Sequence, residues 1–140
     1  MKSGAAARSR ARQFMVQALY QAQLTDVRVA DVIEFFITDH NMKRADIEYF
    51  REVLRGVHRD EANLRSLINE KSDRDFDELD PIEKGIMLMS VYELASRIDV
   101  PYRVVINEGI ELAKSFGATD SYKFVNSILD AIARDLRKSE

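Results

Sequence analysis

Glycine and proline are scarce in this chain, with five glycines and two prolines spread over 140 residues. Since these two residues are the strongest local interrupters of helices and strands, long elements are expected. Strand-like alternation of apolar and polar residues is hard to find, whereas apolar residues recur at steps of three and four. The sequence therefore predicts an all-α protein.

Length and composition indicate an ordinary globular protein of one domain. Apolar residues make up 46% and charged residues 32% of the chain, and no apolar run approaches the roughly 20 residues that span a bilayer. There are no cysteines, so disulfides, thiolate nucleophiles and zinc-thiolate sites are excluded. The N-terminus lacks the apolar core of a secretory signal. We expect a cytoplasmic protein that does not enter membranes.

Local signals place six long helices. The clearest start is Asp80-Pro81-Ile82-Glu83, with Asp at the N-cap, Pro at the first helical position and Glu three residues after the cap. Val100-Pro101 ends that helix, and Gly117 is a candidate C-cap for the next one. The predicted helices cover residues 8–24, 29–38, 46–70, 81–98, 102–116 and 121–136.

Two further features lie within this pattern. The acid-rich stretch 71–80 is expected to form a short helical turn or loop, docked through Phe76 and Leu79. The helix over 46–70 has apolar residues at coiled-coil spacing, but the heptads stop after three and Gly56 weakens the middle. A helix of a bundle is favoured there over an extended coiled coil.

No residue constellation indicates catalysis. The two histidines, His40 and His58, have no partner at metal-ligand spacing, and no phosphate-loop, dinucleotide or nucleophile-elbow motif is present. Glu108 and Glu111 lie one helical turn apart, where pairing with Arg103 or Lys114 or with water is the simpler interpretation. We predict a protein that is not an enzyme and has no cofactor or metal.

The charge of the chain is unevenly distributed. Four of its 21 basic residues and none of its 24 acidic residues lie in the first 25 positions, although the net charge is −3. Cations at a helix N-terminus oppose the helix dipole, so folding gives no reason for them. A short run of arginines can supply much of the affinity for RNA by releasing counterions from phosphates. The alternative to RNA binding is that this N-terminal segment is a solvated tail. The four cations are Lys2, Arg8, Arg10 and Arg12.

Two stretches, at the two ends of the chain, carry a resemblance to a known family. The first is Arg8-Ser9-Arg10-Ala11-Arg12 followed by Val16-Gln17-Ala18-Leu19-Tyr20; the second comprises Val100-Pro101-Tyr102, Ile106-Asn107-Glu108, 110–117 and Lys123-Phe124-Val125-Asn126. In order and spacing they resemble the NusB family of transcription antitermination factors, over essentially the full length. One arginine position of the family is Ser9 here.

The resemblance implies a compact bundle of about seven helices in two packed halves, about 1–76 and 77–140, within a single RNA-binding domain over 1–140 that begins with an arginine-rich arm, 1–12. It implies binding of the boxA element of nascent RNA together with NusE, a protein of the small ribosomal subunit. This complex joins the elongating RNA polymerase with other Nus factors and suppresses premature termination, notably in ribosomal RNA operons. The family domain also occurs fused to RNA methyltransferases, and a chain of 140 residues is expected to be the stand-alone factor.

The resemblance also suggests site residues, several of which have a simpler structural explanation. Tyr20 can stack on a base, contact NusE or pack in the core, and Phe124 can be buried instead of touching a base. Asp120 can be a helix cap, and Glu83 can be part of a capping box. The RNA-contact candidates are Lys2, Arg8, Arg10, Arg12, Tyr20, Asp120, Lys123 and Phe124. The NusE-contact candidates are Tyr20 and Glu83, with Leu24 and Arg74 or Arg59 ranked lower.

A rival interpretation needs no RNA. In it the arm is disordered and an apolar helix face meets a second copy of the chain, giving a protein-only adaptor or a homodimer. RNA binding that weakens with salt distinguishes the two hypotheses.

Overall fold

The fold of residues 4–140, the part of the chain that this computed structural model describes, is all-α with no β-strand in that range. The all-α prediction is confirmed, with six α-helices and one 3-10 turn, Phe76–Glu78, where about seven helices were expected. The helices are α1 (Ala5–Leu24), α2 (Val29–Asp39), α3 (Ile47–Lys71), α4 (Pro81–Ser96), α5 (Tyr102–Phe116) and α6 (Ser121–Leu136).

Helix ends follow the local signals closely. The Asp80 carboxylate accepts a hydrogen bond from the Glu83 backbone N–H at 2.8 Å, as an N-cap does, and Pro81 is the first helical residue. Asp46 caps α3 in the same way, through the N–H of Tyr49 at 3.0 Å. Two ends differ from expectation: α1 begins three residues before Arg8, in an alanine run that favours helix, and α4 ends two residues before Ile98.

Helix α4 lies at the centre of the molecule, as its nearly continuous apolar composition predicts. Every residue from Gly85 to Leu94 is buried. The helix packs against α3 and α1 on one side and against α5 and α6 on the other, while α2 packs on α1 and α3. The 3-10 turn between α3 and α4 is docked by buried Phe76 and Leu79, as expected.

Glycine is a weak helix former, but Gly56 has a packing role where α3 meets α4. A Cβ atom at this position would lie 2.1 Å from Cε1 of Tyr92, so the α3–α4 contact requires glycine there. Glycine at this position in the interior of α3 therefore allows the Tyr92 ring of α4 to pack directly against α3. Gly117 is similar: its φ of −96° is ordinary, but a Cβ would lie 2.8 Å from the Ala113 carbonyl oxygen.

Arg137 joins the end of α6 to the end of α4. Its buried guanidinium donates to the carbonyl oxygens of Glu93 at 3.2 Å, Leu94 at 2.9 Å, Arg97 at 3.1 Å and Val100 at 3.0 Å. The last carbonyls of a helix lack a full set of partners within the helix, and Arg137 adds a donor for Leu94 and Val100 and a second donor for Glu93 and Arg97, which also accept backbone N–H groups. It fixes the α4–α5 connection against which the N-terminus of α1 lies.

Candidate nucleic-acid interface

Arg12 is the most deeply buried of the described arginines expected at the interface, with 2% of its surface exposed. Its guanidinium donates hydrogen bonds to the Glu93 carboxylate of α4 from Nε at 3.0 Å and from Nη2 at 2.8 Å. Its Nη1 donates to the Glu108 carboxylate of α5 at 3.3 Å. Burial alone would lower the pKa of Arg12, but the hydrogen bonds and charge of Glu93 raise it. The side chain is thus held as a cation inside the fold.

Tyr49 of α3 completes this buried cluster. Its hydroxyl donates a hydrogen bond to Glu93. The guanidinium carbons of Arg8 and Arg97 lie 4.4 and 4.8 Å from the centre of the Tyr49 ring, within cation–π range. Burial, together with the Glu93 charge, raises the pKa of Tyr49, so its proton is retained.

The N-terminal segment that the structure describes is therefore a docked helix from Ala5 onward. The Ala7 carbonyl oxygen accepts from the backbone N–H of Asp46 at 3.0 Å, and Arg8 lies 3.8 Å from the carboxylates of both Asp46 and Asp99. Lys2, also expected at the interface, lies outside the described residues.

The position of Arg12 corrects the expectation that all three arginines face the RNA. A phosphate cannot reach a guanidinium that is enclosed by α4 and α5, so Arg12 acts in the fold and anchors α1. Arg8 is about one fifth exposed, and Arg10 points away from the cluster, with Nη1 3.5 Å from the Arg44 carbonyl oxygen.

Tyr20 and Leu24 lie further along α1 and border a shallow groove of about 480 Å³. Tyr20 is 41% and Leu24 61% exposed, so Tyr20 does not pack in the core. The remaining groove residues come from four helices and the residues that follow α1 and α2: Val16, Gln17, Gln21, Thr25, Phe36, His40, Ile82 and Phe116. The groove offers an apolar floor with amide groups at its rim.

A second group of expected residues meets at the start of α4 and α6. The Arg74 guanidinium lies 3.9 Å from the centre of the Phe124 ring and 3.8 Å from the Glu83 carboxylate. Ser121 donates a hydrogen bond to that carboxylate at 2.8 Å. Phe124 is partly buried against the core, with its ring covered by Arg74.

Glu83 differs from both roles expected of it. Its backbone N–H completes half of the capping box, but its carboxylate turns to Ser121 rather than back to the Asp80 N–H. With 5% of its surface exposed, Glu83 holds α4 to α6 and presents little to a partner protein. Arg74, 44% exposed, is the accessible member of this group.

Asp120 and Lys123 form an exposed pair, 3.6 Å apart, at the start of α6. Asp120 occupies the N-cap position, but its side chain makes no capping hydrogen bond. The capping explanation offered for Asp120 is therefore not borne out by the structure, and its carboxylate remains open to solvent or ligand.

Two features of this surface were missed in the sequence. Glu93 lies among the buried apolar residues of α4 and Tyr49 lies next to buried Phe50, and neither was assigned a role in the site from the sequence. Lys43 and Arg44 are exposed between α2 and α3, and the Arg44 carbonyl oxygen lies 3.5 Å from Nη1 of Arg10, which is far from it in sequence. The adjacent cations Lys43-Arg44 are themselves a charge signal in the sequence.

Neither a metal-binding cluster nor a membrane-spanning helix is found in the described part of the chain. Residues 4–140 contain no group of three or more histidine or acidic side chains placed to hold a metal ion. None of the six α-helices combines the length and the apolar character that crossing a bilayer requires.

Comparison with known proteins identifies one family. The NusB family model matches residues 9–134. The transcription antitermination protein NusB of Marinobacter nauticus is 50% identical over 133 residues, covering 95% of this chain and 84% of the relative. The protein of the same name from Edwardsiella ictaluri is 49% identical, covering 94% of this chain and 95% of its own length.

Solved structures show the same fold. T. maritima NusB superposes with a TM-score of 0.85 at 29% identity, covering 96% of this chain and 94% of its own. A complex of the antitermination factors NusB and NusE with dsRNA gives a TM-score of 0.77 at 22% identity, covering 91% of this chain and 96% of the other. At that identity the second match supports the fold alone.

Proposed function

This chain belongs to the NusB family, and we propose that it acts in transcription antitermination by binding the boxA element of nascent RNA together with NusE. The relatives that match over almost the whole chain are named as transcription antitermination proteins. A similar fold has been solved with NusE and RNA. In this role the chain is a non-enzymatic, cytoplasmic, single-domain factor that joins the elongating polymerase, including at ribosomal RNA operons.

The outer face of α1 carries this proposal. Arg12 fixes the helix to α4 from within, so Arg10 and Tyr20 are presented on a rigid support and not on a free tail. An arginine for the phosphates and an exposed aromatic ring for a base are the two elements that readers of unpaired RNA combine. Arg8 at the start of α1 and Lys123 at the start of α6 are further proposed cationic contacts, and Lys2 is another.

NusE is proposed to dock beside this surface. Tyr20 and Leu24 provide exposed apolar area at the groove, and Arg74 provides a charged group near its border residue Ile82. Dividing the RNA between two proteins explains why so few cations are needed on this chain, because each partner neutralises only some of the phosphates.

A titration of labelled boxA RNA tests the function. We expect binding that is tighter than to a scrambled RNA, that strengthens when NusE is added and that weakens as salt rises. Since the similar complex contained dsRNA, the titration compares single-stranded boxA with its duplex. Arg10→Gln and Tyr20→Ala should each weaken binding to boxA.

Binding that is equally weak for boxA and scrambled RNA, with and without NusE, would refute the proposal. If the chain also sedimented as a dimer, the rival interpretation of a protein-only homodimer would replace it.

A further inference from the structure

The turn between α2 and α3 carries two exposed cations whose positions are fixed by buried neighbours. Met42 and Ala45 are 3% and 8% exposed, and the Ala45 N–H donates to the Met42 carbonyl oxygen at 3.0 Å. Lys43 and Arg44 between them face the solvent. The turn therefore presents two positive charges from a backbone that is held on both sides.

The backbone of this turn lies beside a third cation, Arg10 of α1. Arg10 reaches the Arg44 carbonyl oxygen with its Nη1 at 3.5 Å, which brings together residues 34 positions apart. Within residues 4–140, none of these three cations has a carboxylate within 4 Å, whereas Arg8 and Arg12 on the same helix are both paired. Cations on this turn and on the helix beside it that pair with no carboxylate add no ion pair to the fold, and they suit an external anion.

Aromatic rings continue this surface toward the groove. The edge of Phe14, one turn after Arg10 on α1, meets the His40 ring with centroids 5.8 Å apart. His40 in turn stacks on Phe36 at 4.2 Å with an angle of 5° between the rings. His40 and Phe36 also line the groove that Tyr20 borders, and since Phe36 is only 3% exposed, Phe14 and His40 are the rings that lie between Arg10 and the groove.

We propose that Arg10, Lys43 and Arg44 form a phosphate-binding cluster, and that a single RNA strand runs from this cluster along the outer face of α1 toward Tyr20. The inference rests on the proposed RNA-binding function and extends its surface to the α2–α3 turn. The Cα atoms of Arg10 and Tyr20 are about 15 Å apart along a helix, which leaves room for a few nucleotides. Cationic tracks beside aromatic rings are the general solution for binding single strands.

The test is the salt dependence of RNA affinity for the double variant Lys43→Gln/Arg44→Gln, measured with NusE present. Each phosphate contact on a single strand contributes about 0.7 to the slope of log affinity against log salt, so the slope should fall by about 1.4. Between 50 and 200 mM salt, the ratio of wild-type to variant affinity should shrink by about sevenfold. Both residues are exposed, so the unfolding midpoint should stay unchanged.

The matched control is Arg134→Gln/Lys138→Gln, which removes one arginine and one lysine at the end of α6, a helix that packs against α3, α4 and α5. It should leave the slope at the wild-type value.

If the Lys43 and Arg44 variant kept the wild-type slope while wild type bound boxA, this inference would be wrong and the proposed function would stand. If the variant lost NusE binding but kept its RNA slope, the cluster would be a protein-docking surface and the inference would again be overturned. Wild type that binds no RNA refutes both.

Discussion

Arg12 completes an arginine-rich motif in the sequence but is enclosed in the centre of the molecule. Each end of its guanidinium faces a carboxylate, Glu93 or Glu108, and Glu93 is itself buried. Removing one member of a buried pair leaves the other charge without compensation, which is strongly destabilising. Arg12 therefore holds α1 in place against α4.

Arg12→Met should lower the free energy of unfolding by about 3–5 kcal/mol, because Glu93 remains buried without its cation. Urea unfolding at neutral pH measures this change. Arg28→Met, which removes an exposed pair with Asp31, is the control and should cost about 1 kcal/mol or less. A loss below about 1 kcal/mol for Arg12→Met would contradict the assignment. The double variant Arg12→Met/Glu93→Met should recover part of the loss.

Helix propensity and packing predict changes of opposite sign in stability for Gly56→Ala. Propensity alone predicts stabilisation by about 1 kcal/mol, since alanine is the better helix former. The structure predicts destabilisation by about 1–3 kcal/mol, because the new Cβ would overlap the Tyr92 ring. Thermal unfolding decides between them. In a Tyr92→Leu background, where the ring is absent, the same substitution should no longer destabilise, and a stabilising effect in the wild-type background would refute the packing argument.

At the scale of elements, three α-helices have aspartate at the N-cap, and the side chains of Asp46 and Asp80 make a capping hydrogen bond that Asp120 does not. Asp80 accepts a hydrogen bond from the backbone N–H of Glu83, whereas Asp120 makes no capping bond and lies beside Lys123. The first is a structural cap, and the second is left available for a ligand.

Asp80→Ala should cost about 1 kcal/mol of unfolding free energy, the usual loss of an N-cap side chain, and Asp120→Ala should cost much less. Urea unfolding of the two variants side by side checks this difference. Equal losses would show that Asp120 caps α6 after all. Because Asp120→Ala leaves the fold intact, its effect on boxA binding can then be measured directly.

At the scale of the whole molecule, exposed ion pairs make stability depend on acid pH. A hydrogen bond from Arg97 lowers the pKa of Asp99, and one from Lys71 lowers the pKa of Asp135, each from an ordinary value of 3.8. A carboxyl group whose pKa is lower in the folded state stabilises the fold above its unfolded value. That contribution is lost as pH falls through the folded pKa.

We therefore expect the urea midpoint to hold between pH 7 and 5 and to fall progressively below about pH 4. Because these pairs are exposed, 0.5 M salt should weaken their part of the dependence. A midpoint that stays constant down to pH 2.5 would contradict the role given to these pairs.

At alkaline pH, Tyr49 makes the stability of the fold depend on pH. Burial raises its pKa above the ordinary 10.0, so the unfolded chain loses this proton at a pH where the folded protein keeps it. Stability should fall as pH rises above 10, and Tyr49→Phe should reduce that slope by up to about 1.4 kcal/mol per pH unit, the value for one proton. Unfolding curves between pH 8 and 11 give both slopes. Identical slopes for wild type and Tyr49→Phe would refute the buried hydroxyl as the cause.

The sequence by itself determined the helices, because the signals that begin and end a helix act within a few residues. Asp80-Pro81, Val100-Pro101 and the scarcity of glycine and proline indicate where the chain can and cannot continue as helix. The apolar circumference of α4 likewise indicates a central position, since that property belongs to a single helix. Family motifs indicated a surface, though they did not separate residues that face a ligand from residues that hold the helix.

Only the tertiary structure decided which charges are internal and which stand together. Arg12 and Glu93 are 81 positions apart, and Arg10 and Arg44 are 34 positions apart, so no helical period relates either pair. Whether an arginine is neutralised or free depends on which other helix lies against it, and that is a property of the packing. For this reason a motif of three arginines divides into one internal anchor, one partly paired cation and one member of an unpaired surface cluster.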